Sequence, residues 1–506
     1  MTAIGTSSTV AVVGTGTMGQ GIAQVALVAG HPVRLYDTAP GRAGQAAGEI
    51  VRRLDRLVEK GRITADERDA ARARLSPADT LGELDDAALV IEAILEQLPA
   101  KQELFTALED IVAADCLLAT NTSSLSVTAV AGRLRHPGRC VGMHFFNPAP
   151  LLPLVEVISG FATDEAAAVL AYDTAAAWGK TPVRCTDTPG FLVNRIARPF
   201  YAEALRVYEE RVADPATIDA VLRDGTGFRM GPFELTDLIG QDVNEAVTHS
   251  VWQAFFQDPK FTPSLAQRRL VESGLHGRKA GRGWFDYSEG AARPEPRTAA
   301  PCPAPASVGL HAKLPGPAVV LRELIEEAGI KVTRDRTPGE SEGFLRLPGG
   351  ACLALTNGCP ATSNAYGKYI RFDLSLDYRA ATRIALAASA AVCEADLAEA
   401  VGLFQALGKQ VSVIEDVPGM IAARTIAMII DFAVDAAARG VAAPEDIDTA
   451  MRLGVNYPGG PMEWVERLGA QWVWDLLDSM HHQNPGGRYV PSWALRRRAD
   501  LEEQVL

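Results

Sequence analysis

Cysteine is scarce and unpatterned in this chain, seven residues in 506 (116, 140, 185, 302, 352, 359 and 393) with no CxxC pair. That spacing excludes a cysteine zinc site and a disulfide framework, and it reads as free thiols in a reducing compartment. No run of about 18 apolar residues occurs, so no membrane-spanning helix is expected. The first nine residues have no basic stretch followed by an apolar one, and the expected location is cytoplasmic. Positive charge is in deficit, with 49 Lys and Arg against 62 Asp and Glu and a net charge of −13. Nucleic acid or an anionic membrane is therefore excluded as the main partner, although a local basic patch can still receive an anionic ligand. Hydrophobic residues make up 47% and charged residues 22%, an ordinary globular composition that leaves no room for general disorder. Length points to about two to four domains.

What the chain does have is a glycine turn in the right setting. An apolar run, Val10 to Val13, enters Gly14-Thr15-Gly16-Thr17-Met18-Gly19, and helical spacing follows from Gln20 to Ala29. Gly14 allows the tight turn, Gly16 lets backbone approach a pyrophosphate, and Gly19 lets helix and strand pack closely, with the helix N-terminus facing the phosphates. A second strand, Pro32 to Tyr36, ends at Asp37, 18 residues past Gly19. A carboxylate there hydrogen-bonds a ribose 2′-hydroxyl and repels a 2′-phosphate, so the expected cofactor is NAD. Residues 41 to 75 read as a helical pair broken at Gly61, with Arg53, Arg56 and Lys60 on one face. That face is either merely solvated or a phosphate contact.

Strands are expected at 88 to 93, ending near Glu92, and at 117 to 120, followed by Asn121-Thr122-Ser123-Ser124. Ligands of doubly wound sheets bind outside the carboxyl ends of the strands, which would bring Glu92, Asn121, Ser123 and His144 to one crevice. One of the two serines is also a candidate helix cap. Residues 141 to 146 read as a strand, 147 to 153 as a Pro-rich turn and 154 to 158 as a strand returning Glu156 toward His144. A carboxylate beside an imidazole fixes its tautomer and raises its basicity, as a general base near neutral pH requires; the alternative is a core histidine with a hydrogen-bond partner.

Beyond Val183 the pattern is helical (191 to 210, 215 to 222, 232 to 239, 242 to 256), with a boundary at Thr186 to Gly190. Asn194 sits among Phe191, Leu192, Val193 and Ile196, so its amide needs a partner. A shift of 229 residues then reveals a second copy: Lys180 falls on Lys409, Asp187 on Asp416, Pro189-Gly190 on Pro418-Gly419, Arg195 on Arg424, Ile218-Asp219 on Ile447-Asp448 and Gly231-Pro232 on Gly460-Pro461. At that offset His144 falls on Asp373, Glu156 on Ala385 and Asn194 on Ala423, and residues 318 to 413 have no glycine loop. The expected organisation is an α/β nucleotide domain (1 to 187), a helical domain (188 to 290), a Pro/Ala-rich linker (291 to 317), a degenerate cofactor-less α/β remnant (318 to 413) and a second helical domain (414 to 506). One active site per chain follows.

Together, Gly14 to Gly19, Val90-Ile-Glu-Ala93, Asn121 to Leu125, His144-Phe-Phe-Asn-Pro148, Leu154 to Val157, Asp187 to Phe191, Asn194-Arg195 and Met230 to Leu235 resemble the NAD-dependent 3-hydroxyacyl-CoA dehydrogenase family. The fold implied is a Rossmann-type α/β domain followed by an all-α domain. The long, internally repeated chain is similar to the bacterial form that oxidises 3-hydroxyadipyl-CoA in phenylacetate breakdown, with 3-hydroxybutyryl-CoA as the alternative substrate and a non-catalytic NAD-binding protein as the remote one. The resemblance implies that His144 is the catalytic base, oriented by Glu156, that Ser123 contacts the substrate oxygen and the nicotinamide, and that Asn194 binds substrate near the reacting centre. It further implies cofactor contacts from Glu92, Gln97, Asn121, Asn147 and Lys279, CoA contacts from Arg53 and Lys60, and no metal. Short members of the family dimerise through the helical domain, so the two helical copies are expected either to pack against each other within one chain or to leave a homodimer.

Overall fold

A computed structural model describes residues 3–336, 342–363 and 367–503. The chain forms two compact units, one of residues 1–195 with 439–455 and the other of residues 196–438 with 456–506.

The first unit is built on an eight-stranded sheet: β1 (Thr9–Val13), β2 (Val33–Tyr36), β3 (Leu75–Pro77), β4 (Ala87–Glu92), β5 (Leu117–Thr120), β6 (Cys140–Phe145), β7 (Leu154–Ser159) and β8 (Thr181–Thr186), in the order β3-β2-β1-β4-β5-β6-β7-β8. All neighbours are parallel except β6 and β7. Strand order reverses between β1 and β4, which opens a crevice at their carboxyl ends. Both faces are covered, and β1 shows why its sequence is a continuous apolar run. Val10 and Val12 enter one core with Ile22 and Leu35, while Ala11 and Val13 enter the other with Phe105 and Leu108. The short edge strand β3, which follows helices Arg42–Glu59 and Ala65–Ala73, was not expected from sequence.

Helix Pro444–Val455 belongs to this unit and packs on β7 and β8. Thr186 N donates to the Val441 carbonyl (2.9 Å) and Arg184 N to Asp446 Oδ2 (3.2 Å). Residues 439–455, which lie within the second helical domain expected over 414 to 506, thus group with the first unit. This segment finds its buried face on the first sheet.

The second unit holds helices Arg198–Glu209, Pro215–Thr226, Pro232–Ile239 and Gln241–Ala254, a second sheet, and helices Ala422–Ala438, Pro461–Leu468, Ala470–Gln483 and Trp493–Glu503. The single helix expected over 191 to 210 is instead two, Val193–Ile196 and Arg198–Glu209, with Pro199 in the first turn of the latter, where its missing N–H costs nothing. The sheet comprises β9 (Ser307–His311), β10 (Lys331–Arg334), β11 (Phe344–Arg346), β12 (Cys352–Leu355), β13 (Tyr369–Phe372), β14 (Arg383–Ala388) and β15 (Gln410–Val413), ordered β10-β9-β11-β12-β13-β14-β15. Because β9 starts at Ser307, the linker ends earlier than the expected residue 317. From β12 to β15 the neighbours run parallel, antiparallel, parallel, the pattern of β5 to β8. β11 is antiparallel to both its neighbours, so the parallel path of the first sheet is interrupted.

Within this unit the two helical copies pack on each other. Arg488 bonds Glu203 (2.5 Å), Arg424 bonds Glu210 (2.9 Å) and Lys260 bonds Asp431 (2.6 Å). Two other contacts correspond under the 229-residue shift. Glu415 N donates to the Val212 carbonyl (3.3 Å), repeating the bond of Thr186 to Val441, and helix Pro215–Thr226 lies on β14 as helix Pro444–Val455 lies on β7. Such an exchange of equivalent surfaces is what a two-fold dimer makes between subunits, here found within one chain.

Candidate active site

The glycine turn closes at the end of β1. Gly14 has φ +93°, and a Cβ there would lie 2.5 Å from the Ala93 carbonyl oxygen; at Gly19 a Cβ would lie 1.8 Å from the carbonyl oxygen of Gly14. Gly16, the N-cap of helix Thr17–Val28, faces open space, so a phosphate can reach the backbone amides of the first turn, which Thr17 and Met18 begin. A cavity of about 710 Å³ adjoins this turn, lined among others by Gly14, Gly16, Tyr36, Asp37 and Ala39. Asp37 accepts from Thr15 N (2.9 Å), Thr15 Oγ1 (2.7 Å) and Ala39 N (3.1 Å). Burial opposes its ionisation, but these donors prevail and hold the carboxyl below its ordinary value. An open backbone cradle with a fixed carboxylate at the next strand end fits an adenine dinucleotide with a free 2′-hydroxyl.

Glu92 does not face the crevice, and that expectation is corrected. It is fully buried. Its Oε1 accepts from Lys101 Nζ (2.5 Å) and Ile94 N (2.7 Å), and its Oε2 from Thr120 Oγ1 (2.7 Å). A buried carboxylate must be paired, and it is, by a lysine that is also buried. Lys101 reaches Glu96 as well (3.2 Å), and Glu96 Oε1 accepts from Thr122 Oγ1 (2.6 Å), Ser123 N (3.0 Å) and Ser124 N (3.1 Å). Burial opposes the charge of Glu96, while Lys101 and these donors hold its carboxyl below the usual range. Glu96, which sequence reasoning missed, thus shapes the serine loop, whereas Gln97 is exposed and its side chain makes no hydrogen bond to that loop among the described residues. The signal available was Lys101, five residues on in a helix of otherwise ordinary spacing. The next helix is capped by Ser126, whose Oγ accepts from Ala129 N (3.1 Å), and by neither Ser123 nor Ser124.

His144 and Glu156 are cross-strand partners on β6 and β7. His144 Nδ1 lies 2.5 Å from Glu156 Oε2, and Glu156 Oε1 accepts from Leu192 N (3.1 Å) and Val193 N (2.8 Å). Glu156 is fully buried and His144 is 6% exposed, so the carboxylate is desolvated yet has a partner for each oxygen. With Nδ1–H donated to Glu156, Nε2 is the free basic nitrogen. The rings of Phe146 (centroids at 4.5 Å) and Phe191 (6.0 Å) flank the imidazole.

Asn194 Nδ2 donates to the carbonyl of Ser123 (3.4 Å), which brings these two together. Asn121 Oδ1 accepts from Phe145 N (2.8 Å), tying its loop to the residue after His144. Asn147 is exposed at the head of the turn to β7. Arg53 is turned inward instead, donating to Gln20 Oε1 (2.7 Å), while Gln20 Nε2 donates to the Thr15 carbonyl (2.9 Å); Lys60 is exposed at the end of its helix. Lys279 belongs to the second unit and pairs there with Asp242 (2.6 Å).

A dinucleotide cradle at the switch point, with an imidazole held by a buried carboxylate on the next strands, defines a nicotinamide-dependent dehydrogenase. The chain belongs to the 3-hydroxyacyl-CoA dehydrogenase family: the NAD-binding domain model matches residues 9–188, the C-terminal domain model matches 190–287 and again 419–504, and a 3-hydroxybutyryl-CoA dehydrogenase reduced Rossmann-fold model matches 353–418. It is 43% identical to the 3-hydroxyadipyl-CoA dehydrogenase of Escherichia coli, over 98% of both chains. A crystal structure of 3-hydroxybutyryl-CoA dehydrogenase from Escherichia coli superposes with a TM-score of 0.89 at 42% identity, covering 99% of this chain and 100% of that one. A probable 3-hydroxybutyryl-CoA dehydrogenase of Bacillus subtilis is 42% identical over 55% of this chain and 96% of its own length. NAD is the cofactor, and no described helix is long and apolar enough to cross a membrane.

Proposed function

We propose that the protein oxidises (3S)-3-hydroxyadipyl-CoA to the 3-oxoacyl thioester in the cytoplasm, as a step of phenylacetate breakdown. His144 Nε2 takes the proton of the 3-hydroxyl, and Glu156 stabilises the imidazolium that forms. NAD, when held in the glycine cradle, would supply the hydride acceptor for C3. Ser123 and Asn194 orient the substrate oxygen and thioester, and Asn121, Asn147, Glu96 and Lys279 serve the cofactor side. Arg53 and Lys60 are read as contacts to the phosphates of CoA, with Arg53 also bonded to Gln20. The observation that carries the reaction is the 2.5 Å contact between His144 and Glu156 with every carboxylate oxygen engaged. The adipyl substrate is supported by identity along the full length to the Escherichia coli 3-hydroxyadipyl-CoA dehydrogenase.

A second reading, 3-hydroxybutyryl-CoA, is favoured by the name carried by the solved structure of equal length. NADH formation with a panel of 3-hydroxyacyl-CoA thioesters separates them. A higher kcat/KM for adipyl supports the first reading, a higher value for butyryl replaces it, and NAD binding without any turnover sinks both. The exchange of helices within one chain favours a monomer over a homodimer, which light scattering tests.

A further inference from the structure

We infer that the second helical copy positions the catalytic pair of the first, through Gly454. The inference rests on the reading of His144 and Glu156 as that pair. Helix Pro444–Val455 comes from the second copy and lies on β7, pinned near its start by the bond from Arg184 N to Asp446 and ahead of it by the bond from Thr186 N to Val441. Near its other end, Gly454 leaves no room: a Cβ there would lie 2.7 Å from Leu154 Cδ2 and 3.1 Å from Val193 Cγ2.

Both neighbours support Glu156. Leu154 precedes it by two residues on β7, so the two side chains leave the same face of the strand. Val193 donates its amide to Glu156 Oε1 (2.8 Å) and directly precedes Asn194. A methyl added at 454 must displace the side chains of Leu154 and Val193, which stem from the strand that carries the carboxylate and from the turn that anchors it. Glu156 in turn fixes the imidazole, so a shift of a fraction of an ångström is transmitted to the base.

The repeat supplies its own control. Gly225, the counterpart of Gly454, also approaches the second sheet closely: a Cβ would lie 3.1 Å from the Arg383 carbonyl oxygen, a backbone atom, against 2.7 Å from a side-chain atom at Gly454. There the position of Glu156 is held by Ala385, and no imidazole depends on it. Closeness of packing is shared by the two glycines, and proximity to a catalytic carboxylate is not.

The test compares Gly454→Ala with Gly225→Ala in the full chain, by steady-state kinetics with NAD and the best thioester. Gly454→Ala is expected to lose about tenfold in kcat, the scale of a small misplacement of a catalytic group, with KM for NAD unchanged. Gly225→Ala keeps wild-type kcat. A folded Gly454→Ala with wild-type kcat overturns the proposal, as does an equal loss in Gly225→Ala. Should Gly454→Ala not fold, Asp446→Ala frees the helix from Arg184 without adding an atom: a fall in kcat at unchanged KM for NAD supports positioning, and unchanged kinetics overturns it. An active His144→Ala, by contrast, contradicts the underlying assignment.

Discussion

At matched positions the two halves of the chain solve one problem in two ways. In the first half the start of helix Val193–Ile196 presents the amides of Leu192 and Val193 to Glu156, whose other oxygen holds His144. In the second half the equivalent amides, Ile421 N and Ala422 N, go to Asp373 Oδ2 (3.0 and 2.7 Å), with Ala423 N on Oδ1 (2.9 Å). Asp373 stands where the histidine would be, and Ala385 where the glutamate would be. A buried carboxyl group meets the helix start in both halves, and burial pushes that of Asp373 up. The second half places it one strand over and has no imidazole beside it. What the two halves share is the helix anchor, and what distinguishes the first is His144.

Features kept in both halves behave as structure. Lys180 donates to the carbonyls of Ala149 (2.5 Å) and Leu152 (2.9 Å), and Lys409 to those of Ala381 (2.5 Å) and Arg379 (3.3 Å), so each clamps the turn between the corresponding strands. Burial lowers the pKa of both lysines. Asp187 binds Ser126 Oγ and Thr128 N, and Asp416 binds Ala361 N and Thr362 N, again the same device.

The contrast can be broken at several points. Gly19→Ala drives a methyl into the Gly14 carbonyl, and NAD binding measured by fluorescence titration should fall by at least about a hundredfold, whereas the equally tight Gly402→Ala, with a Cβ 2.0 Å from the Pro303 carbonyl oxygen, should lower stability without that specific loss. Glu156→Gln still accepts the two helix amides but withdraws the negative partner of His144. Its kcat is expected to drop by roughly ten- to a hundredfold, with melting little changed. Asp373→Asn should do the reverse, leaving kcat untouched and lowering stability in urea by about 1–3 kcal/mol, because a buried acceptor is weakened. Glu96→Gln is the mildest. Its native carboxyl titrates below the usual range, so its charge, and the stability it contributes, is present above that range and lost as pH falls through it. The variant should raise KM for NAD severalfold and leave kcat within a few-fold of wild type.

The first sheet was legible because its central strands β1, β4 and β5 are dominated by buried apolar residues and each glycine of the turn has one conformational reason to be there. His144 and Glu156 were readable as a pair because period-two strands on either side of a Pro-rich turn bring them face to face. Glu92 misled because a strand-end carboxylate reads the same whether it faces a ligand or a buried lysine, and Lys101 looks like any helix-face lysine until the helix is docked. Helix Pro444–Val455 could not have been assigned to the first sheet, since a 229-residue repeat says what is equivalent and says nothing of which copy packs on which. Edge strand β3 is only three residues long, too short for its pattern to register.

The central claim is that the chemistry of this chain resides in the imidazole of the first half alone. Single-turnover NADH formation by His144→Ala, at saturating NAD and 3-hydroxyadipyl-CoA, tests it most directly. A fall of about 10² to 10⁴ with NAD affinity intact is the predicted result. A rate within a few-fold of wild type would contradict it.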